Sequence, residues 1–331
     1  MEAVYEGIDD ALIHIYKTLL ATGGANGGTR GGMIEMLGVF FRLTNPRARI
    51  SRSQDRGKPF SALGELLWYL KGTDRLDFIE PYIPPYAKDA ENGALRGAYG
   101  PRLFSMRNEI DQLGNVIKLL ETNSTSKRAV IQLFDASDIE KHYKEIPCTS
   151  TMQFFNRNGH LHLSVTMRSN DAYKGLPHDV FCFTMLQEML ARRLGCEVGE
   201  YLHYVGSMHV YDDCLQPMRD YIEEGWQKTV VMPPMSKGNP FDLVEKLLDI
   251  EVKVRAGQHV AADETFDDPY WADIVRLLQV FWATRADSSI PQETVEALGK
   301  QFASDVFPTF LDRRIKIRER AAAKDMHPEK K

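Results

Sequence analysis

The stretch STMQFFNRNGHLHLSVTMRS, residues 150–169, reads as two strands folded into a hairpin about Asn158-Gly159. A hairpin commits the chain to a sheet. RAVIQLF (128–134), EYLHYVGSMHVY (200–211) and MLGVFFRL (36–43) are the strand-like segments that complete it. Val4, Ile8, Leu12, Ile15 and Leu19 predict a helix at the start of the chain. Six glycines between positions 23 and 32, in TGGANGGTRGGM, then break it into a flexible or phosphate-wrapping loop. SALGELLWYLKG, DQLGNVIKLLETN and DVFCFTMLQEMLARRLG read as further helices. Helical patterning returns after Pro240 in FDLVEKLLDIEVKVRAG, DDPYWADIVRLLQVFWATRA and PQETVEALGKQFASDVFPTFLDRRIKIRERAA. The expected fold class is α+β, with a large central sheet flanked by helices in residues 1–238. A helical extension over 239–331 follows, with a frayed lysine-rich end.

Of the 331 residues, 43% are hydrophobic and 26% charged, enough for a substantial buried core. The net charge of -5 and pI near 6.0 come from mixed charges without a basic stripe, which argues against a nucleic-acid polymer as partner. No apolar run reaches the roughly 20 residues of a membrane-spanning helix. Cys148, Cys182, Cys196 and Cys214 show no CxxC spacing, and the first residues do not read as a signal peptide. Reduced thiols in the cytoplasm are the expectation.

Several residues are candidates for chemistry, each beside a plainer reading. Cys148, at a strand end after a proline, is either a small buried hydrophobe or a nucleophile whose pKa falls if Arg128 and Arg168 fold nearby. Arg30 in the glycine loop is a turn residue or an anion contact, but the loop lacks the GK[ST] ending of a nucleotide P-loop. Lys127 with Arg128, and Arg168 with Ser169, are rim charges taken singly and a phosphate clamp taken together. Glu65 is an exposed helix residue or, if buried, a general acid or base with a raised pKa. His209 and Tyr211 share one strand face, either as a core pair or as two donors to one ligand. No spacing suggests a metal site.

Taken in order, Glu65, RGAYG, SKRAV, IPCTSTMQF, MRSNDAYKG, LPHDV and GSMHVY resemble the thymidylate synthase superfamily over residues 5–235. The resemblance implies that family's α+β fold, a homodimer and 5,10-methylenetetrahydrofolate as cosubstrate, without a metal. It implies Cys148 as nucleophile and Glu65 as organiser of proton transfer. Arg168 and Ser169 match phosphate binders, and Lys127 and Arg128 match basic residues lent across the dimer, although the first is arginine in most relatives. His209 and Tyr211 match the pair on the sugar hydroxyl. Glu65, Tyr86, Asp171 and Gly175 are expected around the folate, with Asp171 also supporting the nucleotide. Arg30 aligns loosely with the family's glycine-loop arginine, displaced by about two positions.

Within the superfamily the chain is most similar to the pyrimidine hydroxymethylases, and among them to the cytidylate hydroxymethylases of nucleoside-antibiotic pathways. Synthases have asparagine where this chain has Asp179, and they end in a short apolar tail where this chain ends AAAKDMHPEKK. An aspartate at this position accepts from the exocyclic amine of cytosine and shares a proton with ring nitrogen 3, whereas it repels the carbonyl of uracil. The expected reaction is hydroxymethylation of carbon 5 of CMP, giving tetrahydrofolate. The alternatives are dCMP as substrate, a synthase-type methylation, and a silent nucleotide-binding module.

Overall fold

A computed structural model of the protein describes residues 2–28, 31–53, 57–225 and 228–326. Its strands are β1 (Glu2–Tyr5), β2 (Gly24–Gly28), β3 (Gly31–Leu43), β4 (Val130–Gln132), β5 (Thr149–Arg157), β6 (His160–Asp171) and β7 (Glu197–Tyr211). The helices before the hairpin are α1 (Ile8–Thr22), α2 (Pro59–Leu70), α3 (Leu76–Ile79), α4 (Tyr99–Phe104) and α5 (Gln112–Thr122). After it come α6 (Leu176–Arg193), α7 (Leu215–Glu223), α8 (Val244–Arg255), α9 (Ala262–Thr265), α10 (Pro269–Ala283), α11 (Gln292–Gly299) and α12 (Leu311–Met326). Among the described residues the strands form one mixed seven-stranded sheet in the order β1-β3-β7-β6-β5-β4, with β2 on β3. The fold is therefore α+β. No helix among these residues is long and apolar enough to cross a membrane.

The hairpin follows the sequence closely. Asn158 and Gly159 both take positive φ, 51° and 75°, the backbone a two-residue hairpin turn requires. Met152, Phe154, Leu161, Leu163, Val165 and Met167 are each at most 1% exposed, and each contributes about 1.5–3 kcal/mol through burial. The opposite face carries half-exposed Phe40, Phe155 and Leu202, with Tyr204 at 43% and Val130 at 42% exposure. Parallel pairing of β6 with β7 sets Ser169 beside Ser207 and Asp171 beside His209.

Three local expectations are corrected. Residues 2–5 are a strand, because Val4 and its neighbours pair in parallel with Phe40–Leu43 of β3, and the helix starts only at Ile8. Within the glycine-rich stretch, residues 24–28 are a strand, since the backbone of β2 finds antiparallel partners in β3 from Gly31 to Glu35. The last long helical pattern breaks into α11, a 3₁₀ turn at Pro308–Phe310, and α12.

The C-terminal helices pack on α2 through Tyr82. Its ring stacks on Phe281, its hydroxyl donates to Glu251 at 2.8 Å and accepts from the Trp282 indole at 3.0 Å. Arg255 and Arg285 hold the carbonyls of Asp77, Phe78 and Pro81. A Cβ on Gly64 would lie 2.2 Å from the Tyr82 ring, so glycine is what lets that ring rest on α2.

Candidate active site

Cys148 lies half-buried just before β5. Arg168 pins its loop: Nε donates to the carbonyl of Pro147 at 2.8 Å, Nη2 to that of Ile146 at 3.1 Å, and Nη2 lies 3.8 Å from Sγ of Cys148. The backbone N–H of Arg168 also donates to the Cys148 carbonyl at 2.8 Å. A guanidinium beside a sulfur favours the thiolate, and of the two arginines sought in the sequence Arg168 is the one placed there.

Glu65 sits in the middle of α2, a helix buried on nearly every side, and is 4% exposed. Its Oε1 accepts from the hydroxyls of Tyr86 at 2.8 Å and Tyr69 at 3.1 Å. Burial raises its pKa to about 7, and the two phenols hold it from rising further. Half-buried Tyr86 rests on Trp68, ring centroids 5.6 Å apart.

Asp179 stands in the first turn of α6. A helix N-terminus favours the charged form, yet burial, reinforced by repulsion from Glu65, lifts the Asp179 carboxyl well above its ordinary range. The Asn170 amide opposes this by donating to Oδ2 at 2.8 Å. Gly175 caps α6 with its backbone, and a Cβ there would press to 3.1 Å on the Asn170 nitrogen and 3.4 Å on Oδ2 of Asp179. Asp171 uses Oδ1 to accept from the N–H groups of Tyr173 and Lys174, both at 2.8 Å, and so builds the turn between β6 and α6. Lys174 pairs with Asp213 at 2.7 Å.

Ser169 Oγ and His209 Nδ1 lie 3.5 Å apart, and His209 meets Tyr211 edge-on with centroids separated by 5.2 Å. Lys127 and Arg128 are exposed, and both lie toward the Phe154 end of β5: Gln153 donates to the Lys127 carbonyl and Phe154 to that of Ala129. They are about 15–20 Å along the strand from Cys148, counting 3.3 Å per residue. One chain therefore does not bring them into a clamp with Arg168. Arg30 lies outside the described residues.

Tyr99, within the RGAYG string, is a site residue that the sequence reading did not single out. Its buried hydroxyl accepts from the backbone N–H of Thr149 at 3.1 Å and its Oγ1 at 2.8 Å, one residue from Cys148. Asn170 is another, joined to buried His203 and Tyr201. Among the described residues no group of three or more His, Cys, Asp or Glu is placed to hold a metal.

The arrangement joins a thiol held by arginine, a buried acid under two phenols, and a second carboxyl that burial shifts toward its protonated form. Comparison with known families finds a match to the family described as thymidylate synthase over residues 52–250, more than half of the chain.

Proposed function

The chain belongs to the thymidylate synthase family, whose chemistry is folate-dependent one-carbon transfer to a pyrimidine nucleotide, and from that premise we propose that it is a cytidylate 5-hydroxymethylase. The observation that carries this reading is Asp179, a carboxyl tied to Asn170 at 2.8 Å, whose burial, with repulsion from Glu65, shifts it toward the protonated form. A neutral carboxyl donates to ring nitrogen 3 of cytosine through one oxygen and accepts from the exocyclic amine through the other.

In this reading Cys148 adds through its sulfur to carbon 6 of CMP, and Asp179 protonates nitrogen 3 as electron density reaches that edge. Bound 5,10-methylenetetrahydrofolate supplies the one-carbon unit to carbon 5. Glu65, poised near neutrality, handles the protons as tetrahydrofolate departs and an exocyclic methylene remains on the base. Water adds to that methylene, the carbon–sulfur bond breaks, and 5-hydroxymethyl-CMP leaves with no change in folate oxidation state. Tyr86 and Gly175 border the folate, with Asp171 shaping the turn between them and the base. Arg168 and Ser169 serve the phosphate, His209 and Tyr211 the sugar.

The half-exposed sheet face with Tyr204 and Val130 supports a homodimer, in which Lys127 and Arg128 reach the partner's phosphate site. Residues 1–238 are taken as the catalytic unit and 239–331 as its extension, acting in the cytoplasm. The test is turnover of CMP with methylenetetrahydrofolate, which is expected to give 5-hydroxymethyl-CMP and tetrahydrofolate. Preferential turnover of dCMP would move the assignment to the deoxyribonucleotide. Accumulating dihydrofolate would make the protein a methylating synthase.

A further inference from the structure

Asn170 is 3% exposed and held between two partners. Its amide nitrogen donates to Asp179 Oδ2 at 2.8 Å, and its amide oxygen lies 3.1 Å from Nε2 of His203. His203 is fully buried and stacks on Phe41. Its Nδ1 lies 2.7 Å from the hydroxyl of Tyr201, which is buried equally deeply.

This line of bonds has one direction. Among the described residues the Tyr201 hydroxyl has no hydrogen-bond partner except His203, so its proton goes to Nδ1. The reverse polarity would leave that proton buried without an acceptor, at a cost of about 1–3 kcal/mol. With Nδ1 accepting, the neutral ring carries its hydrogen on Nε2 and donates it to the Asn170 oxygen. Burial keeps the ring neutral by pushing His203 down to about 3. The Asn170 amide is thereby turned with its nitrogen toward Asp179. Oδ2 is held as an acceptor, and a proton on Asp179 sits on Oδ1.

We infer that Tyr201, His203 and Asn170 form a positioning relay that fixes which oxygen of Asp179 donates and which accepts, and thereby sets the choice of cytosine over uracil. This rests on the base-reading role proposed for Asp179. A neutral carboxyl alone does not choose. One way round, it gives a proton to nitrogen 3 of cytosine and accepts from the amine; the other way round, it accepts from the N3–H of uracil and donates to the carbonyl. We place nitrogen 3 at Oδ1 and the exocyclic amine at Oδ2, and in that pose the relay permits only the first. Uracil then sets donor against donor at nitrogen 3 and acceptor against acceptor at position 4, the kind of mismatch a buried site rejects strongly. Asp179→Asn meets the same constraint. To reach the uracil carbonyl its amide nitrogen must face the Asn170 nitrogen, so the gain of uracil binding stays limited while the relay is intact.

Tyr201→Phe removes one hydroxyl and keeps the ring. Dissociation constants for CMP and UMP, measured by calorimetry without folate, test the relay, with ¹⁵N-histidine spectra reporting the His203 tautomer. Wild type is expected to prefer CMP and to carry the His203 proton on Nε2. In Tyr201→Phe the preference is expected to fall at least about tenfold, roughly 1.4 kcal/mol. Adding Tyr201→Phe to Asp179→Asn is expected to raise UMP affinity by a similar factor. An unchanged preference in Tyr201→Phe, or an Nδ1–H tautomer in wild type, overturns the relay and leaves the role of Asp179 standing. A wild type without preference between the two nucleotides overturns both. If Tyr201→Phe does not fold, Asn170→Ala truncates the last link and is judged by the same ratio.

Discussion

The Tyr86 hydroxyl lies 2.8 Å from Glu65 Oε1, joining a half-buried phenol in a 3₁₀ turn to a carboxyl in the middle of α2. The phenol favours the ionised acid and burial favours the neutral one, and burial prevails. Removing the hydroxyl shifts that balance further. In Tyr86→Phe, the limb of the pH profile that belongs to Glu65, read from exchange of the carbon-5 hydrogen of CMP with solvent, is expected to move to higher pH. An unmoved limb would detach the phenol from the acid.

The same carboxyl makes stability depend on pH. Glu65 titrates at its usual 4.5 in the unfolded chain and at about 7 in the folded one. Between those values the folded state keeps a proton that the unfolded state has lost, so this group makes stability fall as pH rises from 4.5 to 7. Glu65→Gln removes that loss. It is expected to gain up to about 3 kcal/mol over wild type at pH 8 and little at pH 4, read from urea unfolding at each pH. Equal differences at both would show that Glu65 does not titrate in this range.

Cys148→Ala is expected to fold with an unchanged melting temperature and to abolish carbon-5 hydrogen exchange. Exchange that persists would remove the sulfur from the mechanism. Arg168→Lys exchanges a fork bonded to two carbonyls for a point charge. Alkylation of Cys148 by iodoacetamide at pH 7 is expected to slow severalfold in that variant, and an unchanged rate would mean the guanidinium does not tune the thiol.

Tyr204→Glu puts a charge in the middle of the half-exposed sheet face. Sedimentation is expected to show a monomer, with weaker binding of CMP because Lys127 and Arg128 no longer reach a partner. A dimer that persists with full CMP affinity would place the interface elsewhere.

Much of this was legible in the chain itself. Asn158-Gly159 announced its turn because only a few residues accept positive φ, and Cys148, Glu65 and Asp179 stood in ordered strings. Val4 misled because its helical spacing from Ile8 was accidental: it is 52% exposed and pairs with Arg42 across a parallel ladder invisible to local patterning. Glycines 24, 27 and 28 carry no side-chain pattern, so nothing local marked them as a strand. Asn170 and His203 meet through their side chains although the ladder sets them opposite Met208 and Val165, and a polar residue whose partner is so distant in the chain gives no local signal.

Gly64 links the two ends of the molecule. The Tyr82 ring covers its backbone, one residue from Glu65, while Glu251 and Trp282 hold that ring from the far side. The helix that carries the acid is therefore braced in part by residues near the other end of the chain. Cutting away α8 and α10 would leave the Tyr82 ring without the carboxylate, indole and phenyl partners that hold it down on the backbone of α2.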